Sequence, residues 1–378
     1  MNDHPVRKLL EFGQSIWLDN LSRNLIKSGE LKRFIDEDGI TGITSNPTIF
    51  QKAISGSMDY DASLQGLLQR GLRDERDLFI ALAIEDITLA ADLLWPVYQK
   101  SGGRDGFVSI EVSPDLAYDA GRTVAEARRL FATIGRKNIL IKVPATKQGL
   151  PAIEQLIREG VNVNVTLLFS VRRYEEVADA YLRGLEGRAN QGKSINEVAS
   201  VASFFVSRVD TLIDKLLQAR LSSTLSEAQS QKINSLLGKA AAANAKIAYK
   251  KYREIFTGKR FLALKAAQLQ RILWGSTGTK NPSYSDVKYV DELIGPDSIN
   301  TIPENTLKAF INHGKVAVTI GDQLEEAERL FAELQALGVD INQVTGQLEA
   351  EGVKLFSDSF SLLLKEIAEK RDSFLTKI

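Results

Sequence analysis

In Val161-Asn162-Val163-Asn164-Val165-Thr166-Leu167 every odd position is aliphatic and every even one polar. A period of two is the mark of a strand with unlike faces. Short β-rich runs recur near 15–19, 40–45, 107–112, 138–143, 161–167, 200–206, 271–276 and 298–302. Between nearly every pair the period lengthens. Leu324, Ala327, Leu330, Phe331, Leu334 and Leu337 keep helical spacing, with Glu325, Glu326 and Glu328 mostly on other faces. Arg122 to Ile134 repeats that stripe through Val124, Ala127, Leu130, Phe131 and Ile134. Alternation of this kind predicts a parallel sheet covered by helices, either closed or doubly wound.

The polar positions favour closure. Asp19, Asn46, Glu111, Lys142, Thr166 and Ser203 all stand late in their strands. Active sites of (β/α)8 barrels are built at that end, whereas a doubly wound sheet gathers its polar residues at one switch point. The expected fold is therefore an α/β (β/α)8 TIM barrel. Long strandless stretches at about 50–106 and 210–270 read as helical insertions. Leu355, Phe356, Phe360, Leu363, Leu364 and Ile367 predict a C-terminal helix from Val353 onward. No linker or repeat divides the chain, so residues 1–378 are expected to form one barrel domain.

Composition removes several classes. The chain of 378 residues carries 48 basic and 48 acidic side chains, and no net charge steers it toward nucleic acid or an anionic membrane. Its basic residues form no continuous patch interleaved with aromatics. Cysteine is absent, and His4 and His313 are the only histidines. A thiol nucleophile, a histidine triad and a multi-histidine metal site are thus not expected, and no metal ligands are assigned. No Gly-x-Gly-x-x-Gly fingerprint follows a strand. The start, Met1 to Lys8, lacks an apolar signal core, and no run approaches the ~18 apolar residues of a membrane helix. A cytoplasmic location is expected.

Lys142 carries the chemical argument. It lies in Ile139-Leu140-Ile141-Lys142-Val143-Pro144, a strand apolar enough to be buried. An ammonium there is costly without a partner, and burial favours the neutral, nucleophilic amine. A buried salt bridge to Glu111 or Asp19 is the alternative. Glu111 shares inward parity with Ser109 on the preceding strand and could shuttle protons for Schiff-base chemistry. Asp19, in Trp17-Leu18-Asp19-Asn20, is the candidate second base, although such a residue is also a common turn or cap. Asn46, Asn164 and Thr166 are uncharged groups suited to sugar hydroxyls, and Thr166 could hold a proton-relaying water. Asn46-Pro47 could equally close the turn after the second strand. Asn164-Val165-Thr166 matches a glycosylation sequon, but a buried strand argues against that use. For a phosphate, Arg208 offers a planar guanidinium. Trp274 to Asn281 supplies glycines, Ser276 and Lys280 after the seventh strand, where barrel phosphate sites often lie. The segment lacks P-loop spacing, and a solvated loop is the plain alternative for Lys280.

Taken together these segments resemble the transaldolase family. Gly42 to Phe50 looks like its Thr-x-Asn-Pro segment, Asn138 to Thr146 like its Schiff-base lysine strand, and Asn164 to Ser170 like the following substrate strand. The matches run in family order from Asp19 to about Asn281. The resemblance implies a barrel of the class I aldolase type, with extra helices, that needs no cofactor and serves the non-oxidative pentose phosphate pathway. Lys142 would be the nucleophile, Glu111 with Thr166 its proton shuttle, and Asp19 the base for carbon–carbon cleavage. Asn46 and Asn164 would bind the dihydroxyacetone unit, and Thr44, Ser203, Phe205 and Arg208 would line the pocket. Where the best-known bacterial enzyme has an arginine after strand seven, this chain has Thr279-Lys280. The implied partners are fructose 6-phosphate, erythrose 4-phosphate, sedoheptulose 7-phosphate and glyceraldehyde 3-phosphate. The inserted helices suggest the longer branch, as a monomer or small homo-oligomer. A simple Schiff-base aldolase and a non-catalytic sugar-phosphate-binding barrel are the rival readings.

Overall fold

A computed structural model describes residues 4–221 and 226–376. Residues 222–225, within the segment expected to be helical, lie outside the described residues, as do 1–3 and 377–378. The strands are β1 (Gln14–Leu18), β2 (Gly42–Thr44), β3 (Phe107–Glu111), β4 (Ile139–Pro144), β5 (Val163–Leu168), β6 (Ser200–Phe205), β7 (Arg271–Gly275) and β8 (Ser298–Ile302). They pair in sequence order, all parallel, and β8 returns to β1. The barrel is closed, as the late polar positions predict.

Helices Ala120–Ile134, Gly149–Glu159 and Val171–Asn190 lie between successive strands from β3 to β6. The segment between β2 and β3 holds Pro47–Ile54, Asp61–Gln69 and Glu75–Lys100. That between β6 and β7 holds Ser207–Gln218, Glu227–Leu236, Ala240–Phe256 and Lys259–Leu262, with no strand among its described residues. The C-terminal helix spans Ile341–Leu375 and begins earlier than expected. Asp340 caps it by accepting from Asn342 N at 2.8 Å, and Val344 and Leu348 extend its buried stripe. No helix among the described residues is long and apolar enough to cross a membrane.

Strand parity sorts the interior into layers. At the N-terminal end, Arg271 contacts Asp105 at 3.2 Å and donates to Ser15 Oγ at 2.6 Å and Ser298 O at 2.8 Å. Above it, Trp17, Phe107, Leu140, Val201, Leu273 and Ile299 form a buried apolar cluster. Gly42 is required there: a Cβ would stand 2.5 Å from the Trp17 indole. Further along the strands, on the same inward side, come Asp19, Thr44, Glu111, Lys142, Asn164, Ser203 and Thr301, with Ser109 lying between Phe107 and Glu111. This apolar layer separates the C-terminal mouth, where barrel active sites are built, from a second cleft at the N-terminal end lined by Arg104, Phe107, Val201 and Arg271.

The alternation in β5 is shorter than its sequence suggests. Val161 and Asn162 precede the strand, and the register shifts between Val165 and Leu168. Leu167 takes a left-handed φ of 56°, unusual for a side chain of this kind. Its side chain meets the C-terminal helix, where a Cβ on Gly352 would lie 2.9 Å from Leu167 Cδ2.

Candidate active site

Register sets the central pair. Glu111 is the Cα partner of Lys142, and Lys142 that of Asn164. Lys142 Nζ lies 3.5 Å from Glu111 Oε2, with side chains 5% and 3% exposed. The ammonium also donates to Ser45 O at 3.0 Å, a residue itself held by Ser45 Oγ donating to Ser109 O at 2.7 Å. The buried ion pair considered from sequence is therefore present, and it sets the lysine beside a proton-transfer group. Neither Glu111 oxygen has a hydrogen-bond partner among the described residues. Beside it lies a small cavity lined mainly by apolar groups, Phe50, Phe79, Ile110, Leu130 and Phe360 among them, with Asn46, Ser113 and Glu126 as polar members. Burial pushes the Glu111 carboxyl up to about 7, against the pull of Lys142 and with a small push from Asp19. A carboxyl poised there can both give and take a proton near neutrality.

Asp19 follows β1, and its N–H donates to Ile302 O at 2.9 Å. Its Oδ1 accepts from Thr44 Oγ1 at 2.7 Å, and Thr44 Oγ1 lies 2.7 Å from Thr301 Oγ1. The single Thr44 hydroxyl proton goes to Asp19, so Thr301 must donate to Thr44. Burial raises the Asp19 carboxyl above its ordinary value, while Lys142, Thr44, Lys280 and Arg208 oppose that rise. Thr301 escaped the sequence reading. Its one signal was a hydroxyl at the last inward position of an otherwise unremarked strand.

Neutral groups complete the mouth. Asn164 Nδ2 donates to Ser109 Oγ at 3.0 Å, and Ser203 Oγ donates to Asn164 Oδ1 at 2.7 Å. The amide is held from both sides. Thr166 is fully buried, and its Oγ1 has no partner among the described residues. Asn46 does structural work: its Oδ1 caps helix Pro47–Ile54 from Ile49 N at 3.0 Å, with Pro47 in the first turn. Its amide nitrogen is not used by that cap.

Phe205 packs edge-on to Phe169 at 5.2 Å, and the Arg208 guanidinium carbon sits 5.5 Å from the Phe205 ring centre. Burial lowers the Arg208 pKa, with Asp19 and Glu351 acting the other way. Ser276 has a left-handed φ of 54°, and its Oγ lies 3.1 Å from Ser207 Oγ. That hydroxyl ties the segment after β7 to the start of helix Ser207–Gln218. Lys280 stands exposed on the rim, its pKa lowered by partial burial and then by Arg208.

The closed parallel barrel is a (β/α)8 fold, and an amine with two carboxyl groups at one end is an arrangement with which amine–carbonyl chemistry can be done. Fold alone does not name the reaction. The transaldolase/fructose-6-phosphate aldolase family model matches residues 16–367, and the chain belongs to that family. It is 47% identical over 368 residues to a transaldolase 2 of Nostoc sp., covering 96% of each chain. It is 47% identical over 370 residues to a transaldolase of Saccharopolyspora erythraea, covering 96% of this chain and 97% of that one. A Mycobacterium bovis transaldolase is 44% identical over 365 residues, at 96% and 95% coverage.

Proposed function

We propose that this protein is a transaldolase that moves a dihydroxyacetone unit between sugar phosphates through a Schiff base on Lys142. The observation that carries the reading is the buried Lys142–Glu111 pair at 3.5 Å, in register on adjacent strands. Neutral Lys142 attacks C2 of fructose 6-phosphate. Glu111, near its midpoint at pH 7, protonates the departing hydroxyl as the carbinolamine loses water. Thr166 has a free buried hydroxyl with which to hold the relaying water. Asp19 takes the C4 hydroxyl proton, the C3–C4 bond breaks, and glyceraldehyde 3-phosphate leaves. The bond's electrons pass to the iminium, giving an enamine on Lys142. That enamine adds to erythrose 4-phosphate, and hydrolysis releases sedoheptulose 7-phosphate.

Asn164 and the amide nitrogen of Asn46 hold the three-carbon hydroxyls, while Thr44 fixes Asp19 and Ser203 fixes Asn164. Phe205 walls the pocket, and Ser276 steadies the rim. Arg208 and Lys280 take the phosphate: both are cations of the mouth, and Arg208 is close enough to help lower the pKa of Lys280. Lysine serves as the electron sink, so the cycle calls for neither metal nor organic cofactor. The enzyme would act in the cytoplasm on free sugar phosphates, without nucleic acid or membrane.

Borohydride reduction with fructose 6-phosphate, followed by peptide mass analysis, tests the reading. A three-carbon adduct on Lys142, absent in Lys142→Ala, is expected; its failure to form would overturn the mechanism. The family model also spans fructose-6-phosphate aldolase. Rapid release of free dihydroxyacetone without erythrose 4-phosphate would favour that alternative.

A further inference from the structure

Helix Ser207–Gln218 carries more than Arg208. Two and six residues further along it stand Asp210 and Asp214, both buried. Each divides its carboxylate between the same two neighbours. Asp210 accepts from Ala241 N at 2.7 Å and from Tyr289 OH at 2.8 Å. Asp214 accepts from Gly238 N at 2.9 Å and from Tyr284 OH at 2.7 Å. One oxygen of each thus holds the inserted helical segment, and the other holds the segment that follows β7.

That second segment carries Lys280. It is braced internally: Thr279 Oγ1 donates to Ser285 O at 2.7 Å, and Tyr284 N donates to Asn281 O at 3.1 Å. The Tyr284 ring also rests on Gly238, where a Cβ would stand 2.7 Å from Tyr284 Cζ and φ is +68°. Asp214, Lys280, Asn281 and Tyr284 line one cleft between the helix and the loop. Lys280 itself makes no ion pair among the described residues, so nothing near its own head group fixes where it stands.

We propose that the Asp214–Tyr284 hydrogen bond is a positioning device that sets Lys280 against Arg208, so that two cations on separate elements present one phosphate site. Resting on the reading of Lys280 given above, this makes Tyr284 and Asp214 determinants of affinity for phosphorylated sugars. Both act through Lys280 and touch no substrate. The helix that carries Arg208 reaches out through Asp214 to seize the loop that supplies the second charge, and the inserted segment locks the same carboxylate from behind.

Tyr284→Phe keeps the ring on Gly238 and removes only the hydroxyl; Asp214→Asn weakens the same bond from the other side. For each, KM for fructose 6-phosphate should rise about tenfold with kcat within about twofold, as expected when a charge-assisted contact is misplaced. Turnover of unphosphorylated fructose should not change. In a Lys280→Ala background, Tyr284→Phe should add nothing. Equal loss with fructose, a parallel fall in kcat, or full additivity with Lys280→Ala would overturn the proposal and mark the bond as structural. The two readings separate cleanly. An unchanged KM in Lys280→Ala removes the phosphate role of Lys280, whereas a raised KM there with none in Tyr284→Phe removes only the positioning link.

Discussion

Replacing Glu111 by glutamine should make the protein both slower and, at alkaline pH, more stable. A carboxyl whose folded pKa lies above its unfolded value binds its proton more tightly when folded. Its contribution to stability is complete below the ordinary value of 4.5 and is lost as pH rises through about 7. At about 1.4 kcal/mol for each tenfold in proton affinity, the gap amounts to at most about 3 kcal/mol. The attraction of Lys142 is already contained in that gap, since it is one of the causes that set the value near 7. Glutamine copies the neutral form at every pH, so it escapes the loss.

Urea denaturation of Glu111→Gln and wild type at pH 4.5 and pH 8.5 measures this. The difference should be near zero at the lower pH and favour the variant by up to about 3 kcal/mol at the higher. Turnover should fall about a hundredfold or more, because glutamine cannot exchange a proton with the carbinolamine. A stability difference that ignores pH, or a variant weaker than wild type at pH 8.5, would refute the view that an apolar flank strains the Glu111 carboxylate.

Asp105→Ala removes the partner of a guanidinium only 4% exposed at the other end of the barrel, together with the acceptor of Trp17 Nε1 at 2.9 Å. Thermal and urea unfolding should show a loss of about 3–5 kcal/mol, with kcat per folded molecule unchanged. Phe360→Ala takes away a ring packed edge-on to Phe79 at 5.5 Å and opens the cavity beside Glu111. Stability should drop by about 3–5 kcal/mol, and the Glu111-dependent limb of the pH–rate profile should move to lower pH as water enters; an unmoved limb would sink the link to Phe360.

What the sequence disclosed follows from what a period of two can encode. Parity told which residues of 107–112 and 138–143 face inward, and closure with regular register brought Glu111 level with Lys142. Contacts that cross the closure were hidden. Thr301 and Thr44 are 257 positions apart, and neither carries a charge to attract notice. Leu167 was misread because an aliphatic residue in step with Val163 and Val165 gives no hint of a left-handed backbone. Asn46 was ambiguous for a sound reason: its Oδ1 caps a helix, and its amide nitrogen takes no part in that cap. The Asp214–Tyr284 bond joins an irregular loop to a helix, and no local periodicity reports such a bond.

The C-terminal helix links closure of the mouth to the poise of Glu111. On one flank Glu349 approaches Arg173 at 3.6 Å; on the other Ser359 meets Thr48 at 2.9 Å and Lys370 meets Asp61 at 2.7 Å. Between them Gly352 passes against Leu167 and within reach of Arg208, where a side chain would intrude. Surface ion pairs of this kind are individually worth little. The firmer seat is Phe360, which completes the Phe50–Phe79 aromatic cluster. Those same three rings line the cavity that borders Glu111. One packing arrangement therefore holds the helix across the mouth and keeps the proton shuttle dry. In the proposed cycle the enamine survives only while stray water is excluded, and Glu111 stays near 7 only while its flank is apolar. A helix that lifted would flood both at once, so transfer and proton economy fail together rather than separately.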